Sequence, residues 1–359
     1  MNTLPLQAND IILDRYEILK YIGAGGMQYV YQARDTKLKR IVALKTPQNA
    51  SQAIRFKQSA ILAARINHHN VAKTFDYFTS PENKEYLIEE YVDGVDLDQM
   101  FDGKVRYIDP YLVARLLHYM AKGLSASHHA GVVHRDIKPS NILFINNSSG
   151  IEIKITDFGI AKMAESELTE AVERDITVTN SRTVLGAIPF MAPEVIDTPT
   201  KVGKEADIWS TGALIFKLLT GEYPFGTGLK AIQNLGISKF PEIPDFVTKN
   251  IQYKSIAESI IEIMKRCMKF EPTERLTADE LVQQCGKLCY SSNERFIGAI
   301  YKSIHTTNGL ISTSTYRDVF YHQKNIYGQI AAVGDEVMYA KHEGVPYERA
   351  FPVVKLYSK

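Results

Sequence analysis

The order of its stretches makes this chain an α+β protein: strands first, helices in the middle, and a second β-rich stretch after them. Three observations predict this. Up to about residue 90, β-branched and aromatic residues run in short segments between glycine and charged turns. After Gly94 apolar residues recur mostly at helical spacing. From Glu294 the helical period disappears and short strand-like runs with glycine turns return, over a length that suits a small β-barrel.

Taken in order, Tyr16 to Gly23, Tyr29 to Arg34 and Ile41 to Lys45 read as strands. Ile54 to Ile66 reads as a helix, with Ile54, Ile61 and Ala64 as its apolar positions. Pro110 to His129, Lys204 to Leu219, Ser255 to Met268 and Thr277 to Leu288 read as the main helices of the middle stretch. The joint Tyr290-Ser291-Ser292-Asn293 is too short for a free tether, which predicts that the last domain, 294–359, packs on the helical part.

The bulk numbers exclude several classes. With 359 residues, 45% hydrophobic and 23% charged, the chain is ordinary globular material, ample for a large core and for two or three domains. A net charge of +1 provides no global field for nucleic acid or an anionic membrane. Three cysteines (Cys267, Cys285 and Cys289), odd in number and without Cys-x-x-Cys spacing, speak against a disulfide framework or zinc site and for buried thiols in a reducing compartment. Met1 to Asp14 carries no signal-like run, and apolar stretches such as Ala213 to Phe216 are too short to span a bilayer. The expectation is a cytoplasmic protein with no membrane contact.

The chemistry concentrates in His134-Arg135-Asp136-Ile137-Lys138-Pro139-Ser140-Asn141 and Asp157-Phe158-Gly159. Asp136 can take the proton of an attacking hydroxyl, while Asn141 and Asp157 can hold Mg²⁺ against ATP phosphates. In these residues the sequence resembles the protein kinases, closely the compact bacterial-type Ser/Thr kinases, over about residues 14–290. The resemblance implies a bilobal fold, with a β-rich N-lobe at about 14–92 and a helical C-lobe at about 93–290. It also implies ATP and Mg²⁺ as cofactors and protein substrates as partners. Lys138 is the Ser/Thr-kinase choice beside the base and would touch the transferred phosphate, so Asp136, Lys138 and Lys45 are the catalytic candidates.

Ile22-Gly23-Ala24-Gly25-Gly26-Met27-Gln28-Tyr29-Val30 resembles the glycine-rich loop that folds over the triphosphate. Gln28 stands in place of its third glycine. Val42-Ala43-Leu44-Lys45 follows, with Lys45 fifteen residues after Val30 and implied to contact the α- and β-phosphates. The family pairs this lysine with a helical glutamate, but Ser59 occupies that position, and residues 36–75 hold no Asp or Glu. In Tyr86-Leu87-Ile88-Glu89-Glu90-Tyr91-Val92, Glu90 matches the hinge glutamate, which puts Glu89 at the gatekeeper. Glu89 either pairs with Lys45 in place of the helix residue or faces solvent. Adenine would be read by backbone groups of Glu90 and Val92.

Between Asp157 and Pro193 the hydroxyls Thr169, Thr177, Thr179, Ser181 and Thr183 accumulate, and the last three are the autophosphorylation candidates. Arg135 would read the phosphorylated segment. Ala187 replaces a threonine that usually bonds the catalytic aspartate. Glu194 with Arg275 fits a buried ion pair, and Asp207 fits the helix that supports the catalytic loop.

The stretch Arg295 to Lys359 resembles a cold-shock domain of the OB-fold class, through Gly298 to Ile300, Asn308 to Ile311, Asp318 to His322, Val333 to Tyr339 and Ala350 to Leu356. Such domains stack single-stranded bases on aromatics. Phe320 and His322 match one stacking motif, whereas Asn308 and Leu310 replace aromatics of the other and Lys302 replaces an aromatic further upstream. Eight Lys and Arg stand against five Asp and Glu from 295 to 359. Weak single-stranded nucleic-acid binding and a barrel used for packing or for a protein partner both remain open. For the whole chain the reading is an active Ser/Thr protein kinase. The alternative is a pseudokinase-like ATP-binding scaffold, suggested by Gln28, Ser59 and Ala187.

Overall fold

In a computed structural model the chain is described at residues 5–24, 28–49, 52–158, 186–197, 202–236, 239–312 and 318–357. The N-terminal sheet is formed by β1 (Ile11–Ile12), β2 (Tyr16–Ala24), β3 (Gln28–Asp35), β4 (Arg40–Pro47), β5 (Thr74–Thr79) and β6 (Glu85–Glu90), in the order β1-β2-β3-β4-β6-β5 with antiparallel neighbours. Successive side chains of a strand face opposite ways, so β4 divides its residues between two surroundings. Val42 and Leu44 enter a core with Tyr16, Ile18, Tyr31 and Ile88. Ala43 and Lys45 face the other way.

α1 (Ala53–Ala63) lies against β5 and β6. Here the expected apolar face is corrected. Ile54 is 73% and Ile61 49% exposed, and Ala64 is exposed as well. The helix instead buries Phe56, Ser59, Ala60 and Ala63, with Phe56 and Ala60 packed on Leu87 and Tyr77. Tertiary packing selected the side with one aromatic and small residues, which brings the helix close to the sheet.

The helical lobe contains α2 (Leu97–Asp102), α3 (Pro110–His129), α4 (Pro193–Asp197), α5 (Glu205–Thr220), α6 (Leu229–Leu235), α7 (Phe246–Lys249), α8 (Ile251–Cys267) and α9 (Ala278–Cys285). Asp109 caps α3, accepting from the N–H groups of Tyr111 (3.1 Å) and Leu112 (3.0 Å), and Pro110 at the first helical position needs no such partner. α5 is buried almost all round, Trp209 at its centre, and ends at Gly221 in the left-handed region, φ 81°. α9 starts with a capping box between Thr277 and Glu280. A small sheet of β7 (Val95–Asp96), β8 (Ile142–Asn147) and β9 (Gly150–Ile155) carries the chain to Asp157. Ile155 binds Asn70 and Ala72 through its backbone, which ties this sheet to the N-terminal lobe.

After residue 294, β10 (Phe296–His305), β11 (Asn308–Ser312), β12 (Val319–His322), β14 (Glu336–His342) and β15 (Glu348–Lys355) close a barrel. The circuit β10-β11-β12-β15-β14-β10, with β12 and β15 parallel, is that of an OB-like barrel. A short extra strand, β13 (Ile326–Tyr327), pairs parallel to β15. Two residues are too few for any periodicity, so the sequence did not reveal it.

The barrel packs on the helical lobe, as the short joint required, and more deeply than a docked module. Its inner core includes Ile300, Ile311, Val319, Val337 and Val353. The opposite faces of β14 and β15 present Met338 and Val354, and with Tyr327 and Leu356 they join the core of the helical lobe. Buried on both faces, these strands read as unbroken apolar runs. The Tyr327 hydroxyl donates to the Leu219 carbonyl (2.8 Å), and the Asn250 amide donates to the carbonyls of Lys324 (2.8 Å) and Ile326 (3.0 Å). Arg295 pairs with Asp109 at 3.1 Å, their side chains 2% and 1% exposed, so the cap of α3 is also the anchor of the barrel. Gly328, at φ 80°, lies against Tyr107, whose hydroxyl would stand 2.1 Å from any Cβ there.

Candidate active site

The lower half of the site hangs on one buried carboxylate. Asp207, in the first turn of α5, accepts from the backbone N–H of His134 (2.8 Å) and Arg135 (2.6 Å) and binds His128 Nε2 (2.8 Å). Burial opposes its charge, yet the His128 hydrogen bond and the His134 N–H hold its carboxyl below the usual range. Three partners on one group fix the turn at residues 134–136, including the positive φ of Arg135. His134 accepts the Asp136 N–H at Nδ1 (3.2 Å), so its Nε2 carries the proton donated to the Thr156 carbonyl (2.8 Å).

Asp136 is thereby presented with Lys138 Nζ at 2.8 Å and Asn141 Nδ2 at 3.0 Å, both on Oδ2. Asn141 also donates to the Asp136 carbonyl (2.7 Å). Two acceptors require the NH₂ group on that side, which turns the amide oxygen, an acceptor that can also ligate a cation, the other way. Ala187 is buried in the chain that leads to α4, and Glu194 binds Arg275 in a two-pronged pair at 2.5 and 2.7 Å. Arg135 donates to the Val202 carbonyl at 3.1 Å.

The upper half follows from strand parity. Cross-strand partners share a face, and the register pairs Gln28 with Pro47, Val30 with Lys45, Ala43 with Glu89 and Lys45 with Leu87. Gln28, Val30, Ala43, Lys45 and Glu89 therefore lie on one face of the sheet. Lys45 and Glu89 are diagonal neighbours there, a separation that long side chains bridge. Lys45 Nζ lies 2.5 Å from Glu89 Oε2 and 2.8 Å from Asp157 Oδ1. Of the two positions left open for Glu89, the structure has the inward one, and Ser59 stays buried on α1. Burial works against the Lys45 charge, but Asp157 and Glu89 raise its pKa above the ordinary lysine value. Burial also raises Glu89, with Asp157 adding to it against the opposing pull of Lys45. Burial works against Asp157 too, but Lys45 and the Gln28 amide hold it low. One ammonium between two carboxylates thus keeps Asp157 ionised and makes Glu89 the easier to protonate.

Gln28 is the neighbour of the candidate site that sequence reasoning missed. It was visible as a departure from glycine, but its contact was not. Its side chain is buried, and Nε2 donates to Asp157 Oδ1 at 2.7 Å. The signal was present in its position two residues before Val30, on the same face of β3.

Of the remaining candidates, Ile22, Gly23 and Ala24 end β2 above this face, with Gly23 opposite Val30. The Glu90 side chain points to the other face of β6, where it pairs with Lys154 at 2.8 Å. Its N–H donates to the Lys73 carbonyl (2.8 Å), and Val92 continues the chain beyond it. Gly25, Gly26 and the hydroxyls Thr169, Thr177, Thr179, Ser181 and Thr183 lie outside the described residues. Asn141 and Asp157 supply hard oxygen atoms of the kind Mg²⁺ prefers. Among the described residues no group of three or more His, Cys, Asp or Glu side chains forms a metal cage. A two-residue donor set fits a cation that arrives with phosphate oxygens.

All three cysteines are free, Cys267 and Cys285 buried and Cys289 exposed, which corrects the expectation that all would be buried. Among the described residues no helix is long and apolar enough to cross a membrane.

The protein kinase domain family matches residues 16–285. A probable serine/threonine-protein kinase of Clostridium perfringens is 32% identical over 291 residues, covering 77% of this chain and 39% of the relative. The probable serine/threonine-protein kinase PknB of Lactococcus lactis is 32% identical over 264 residues, 71% of this chain and 39% of the relative. The serine/threonine-protein kinase PknB of Mycolicibacterium smegmatis is 33% identical over 222 residues, 59% of this chain and 33% of the relative. The chain thus spans well under half the length of these curated relatives. With the match extending from β2 to the end of α9, across both lobes, the chain belongs to the protein kinase family.

Proposed function

We propose that the chain is a serine/threonine protein kinase that transfers the γ-phosphate of ATP to protein hydroxyls. The observation that carries this reading is the chain of contacts from Asp136 to Asn141 (3.0 Å), from the Asn141 carbonyl to the N–H of Thr156 (3.0 Å), and from the adjacent Asp157 to Lys45 (2.8 Å). Asp136 accepts the proton of the attacking hydroxyl. Lys138, 2.8 Å from Asp136, steadies that carboxylate and reaches the phosphate being transferred. Lys45 orients the α- and β-phosphates, held by Glu89 instead of a helical glutamate. Ile22, Gly23, Ala24, Gly25, Gly26, Val30 and Ala43 enclose the nucleotide, and the backbone of Glu90 and Val92 reads adenine. Asn141 and Asp157 would hold Mg²⁺, which when bound neutralises phosphate charge. The free thiols agree with a reducing, cytoplasmic setting.

Phosphorylation of the chain's own Thr179, Ser181 or Thr183 belongs to the same reading. Incubation with Mg-ATP and a generic basic protein, followed by phosphosite mapping, tests it with Asp136→Ala as control. Phosphoserine or phosphothreonine that disappears in Asp136→Ala is expected. Bound nucleotide without any Asp136-dependent transfer would favour the scaffold reading, for which Gln28 on Asp157 is the specific observation.

For the barrel we propose a regulatory or binding role on the face of β12. Phe320 and His322 are half-buried there, alternating with the core residues Val319 and Tyr321, and the Arg349 guanidinium lies 5.9 Å from the Phe320 ring. An aromatic beside an arginine suits a single-stranded base. Titration of the full chain with labelled oligo-U and oligo-dT at low salt should give binding that weakens in Phe320→Ala. No binding at tens of micromolar would leave a protein partner or packing as the role of this face.

A further inference from the structure

We propose that Gln28 is a positioning residue that holds the Asp157 carboxylate and competes for it with a divalent cation, thereby setting the Mg²⁺ dependence of nucleotide binding. The inference rests on the kinase reading above and concerns a residue outside the usual machinery of that reaction. Gln28 opens β3, opposite Pro47, at the position where the resembling loop has its third glycine. A glycine there leaves space beneath the loop. Here a carboxamide fills it, 4% exposed, and reaches across the lobes to a residue 129 positions later.

The chemistry of the contact is determined by its partner. An ionised carboxylate only accepts, so the atom at 2.7 Å is the amide nitrogen. Oδ1 of Asp157 thus receives two donors, Gln28 Nε2 and Lys45 Nζ at 2.8 Å. Among the described residues, Oδ2 has only a longer contact with Thr156 Oγ1, at 3.4 Å. A cation cannot share Oδ1 with an N–H that points at the same lone pairs. Either it binds through Oδ2 alone, or Gln28 turns away or presents its amide oxygen. The first course leaves the cation without Oδ1, and the other two sacrifice a charge-assisted hydrogen bond that a glycine at this position would never have formed; either way Gln28 weakens the hold on the cation.

Two variants separate hydrogen bonding from space. Gln28→Gly removes both, and Gln28→Met keeps the volume without the donor. Binding of a fluorescent ATP analogue to the full chain is measured against Mg²⁺ concentration, alongside binding in EDTA and thermal melting without ligand. Loss of one charge-assisted hydrogen bond corresponds to about a tenfold lower half-saturating Mg²⁺ in both variants, with binding in EDTA little changed. Melting above the assay temperature shows that the variants are folded. Half-saturation unmoved in a folded Gln28→Met would overturn the proposal and leave Gln28 as a filler of the loop. If the unaltered chain binds no nucleotide at any Mg²⁺ concentration, the kinase reading fails as well. Normal binding with an unmoved midpoint sinks only the role of Gln28.

Discussion

The strands of the N-terminal sheet keep a hydrophobic core of their own, built on Tyr16, Ile18, Leu44 and Ile88, whereas the C-terminal barrel, besides its inner core, enters the core of the helical lobe with its strands and the residue after them, through Tyr327, Met338, Val354 and Leu356. The N-terminal lobe reaches that core through Ala63, Ile66 and Val71, outside the strands. The sheet that carries half of the site meets the other half through side chains, Lys45 and Gln28 on Asp157, with backbone ties near Asn70 and Ala72. The barrel contributes none of the candidate catalytic residues, yet a buried ion pair and a continuous apolar core hold it to the lobe. The contrast teaches where adjustment is cheap. A sheet whose strands stay out of a shared core can shift at less cost than a barrel whose strands are part of one. Nucleotide and metal are therefore expected to act on the N-terminal lobe, while the barrel and helical lobe move as a unit.

The largest effect should come from cutting the barrel's anchor. Arg295→Met leaves Asp109 buried without its partner, a loss of about 3–5 kcal/mol read from urea unfolding. Adding Asp109→Asn removes the stranded charge and retains a capping oxygen for α3, so much of that loss should return. A neutral Arg295→Met would refute the claim that the barrel is integral. Next, Gly328→Ala puts a methyl group into Tyr107 at a positive φ and should lower stability by about 1–3 kcal/mol in the same assay.

On the loosely joined side, substitutions should change activity more than stability. Glu89→Gln weakens the hold on Lys45 and should lower kcat/KM about tenfold, with the melting temperature little changed. Ser59→Ala should leave kcat/KM within about twofold, because the helix no longer supplies the partner of Lys45. A reversed ranking would return control to α1.

The smallest effect concerns acid. The hydrogen bond from Arg15 leads the interactions that hold the Asp35 carboxyl down at about 2 in the folded state. In the unfolded chain it protonates near pH 4, so the stability it contributes is present above that value and is lost as the pH falls towards 2. Asp35→Asn should flatten the decline of the melting temperature between about pH 4 and 2, and an unchanged slope would exclude Asp35 as a cause.

Much of this was legible in the residues because local patterns carry it. Helical spacing placed α3, α5, α8 and α9 to within a few residues, since each buries a long stripe. Motif spacing singled out Asp136, Asn141 and Asp157 because their turn must return to one point. The face of α1 was not legible. Isoleucines suggested burial, but a close approach to β6 favoured Phe56, Ala60 and Ala63. Nor could the orientation of Glu89 be read in Leu87-Ile88-Glu89-Glu90, where no clean polar alternation marks an inner face.

The sequence by itself thus determined the family, the order of lobes and barrel, and the identities of the groups that can do the chemistry. Each rests on spacing along the chain, which local geometry preserves. Only the tertiary structure decided who meets whom: Glu89 with Lys45, Gln28 with Asp157, Arg295 with Asp109. Those meetings depend on strand register and on surfaces brought together from more than a hundred residues apart in two of the three cases, and no local pattern encodes such distances.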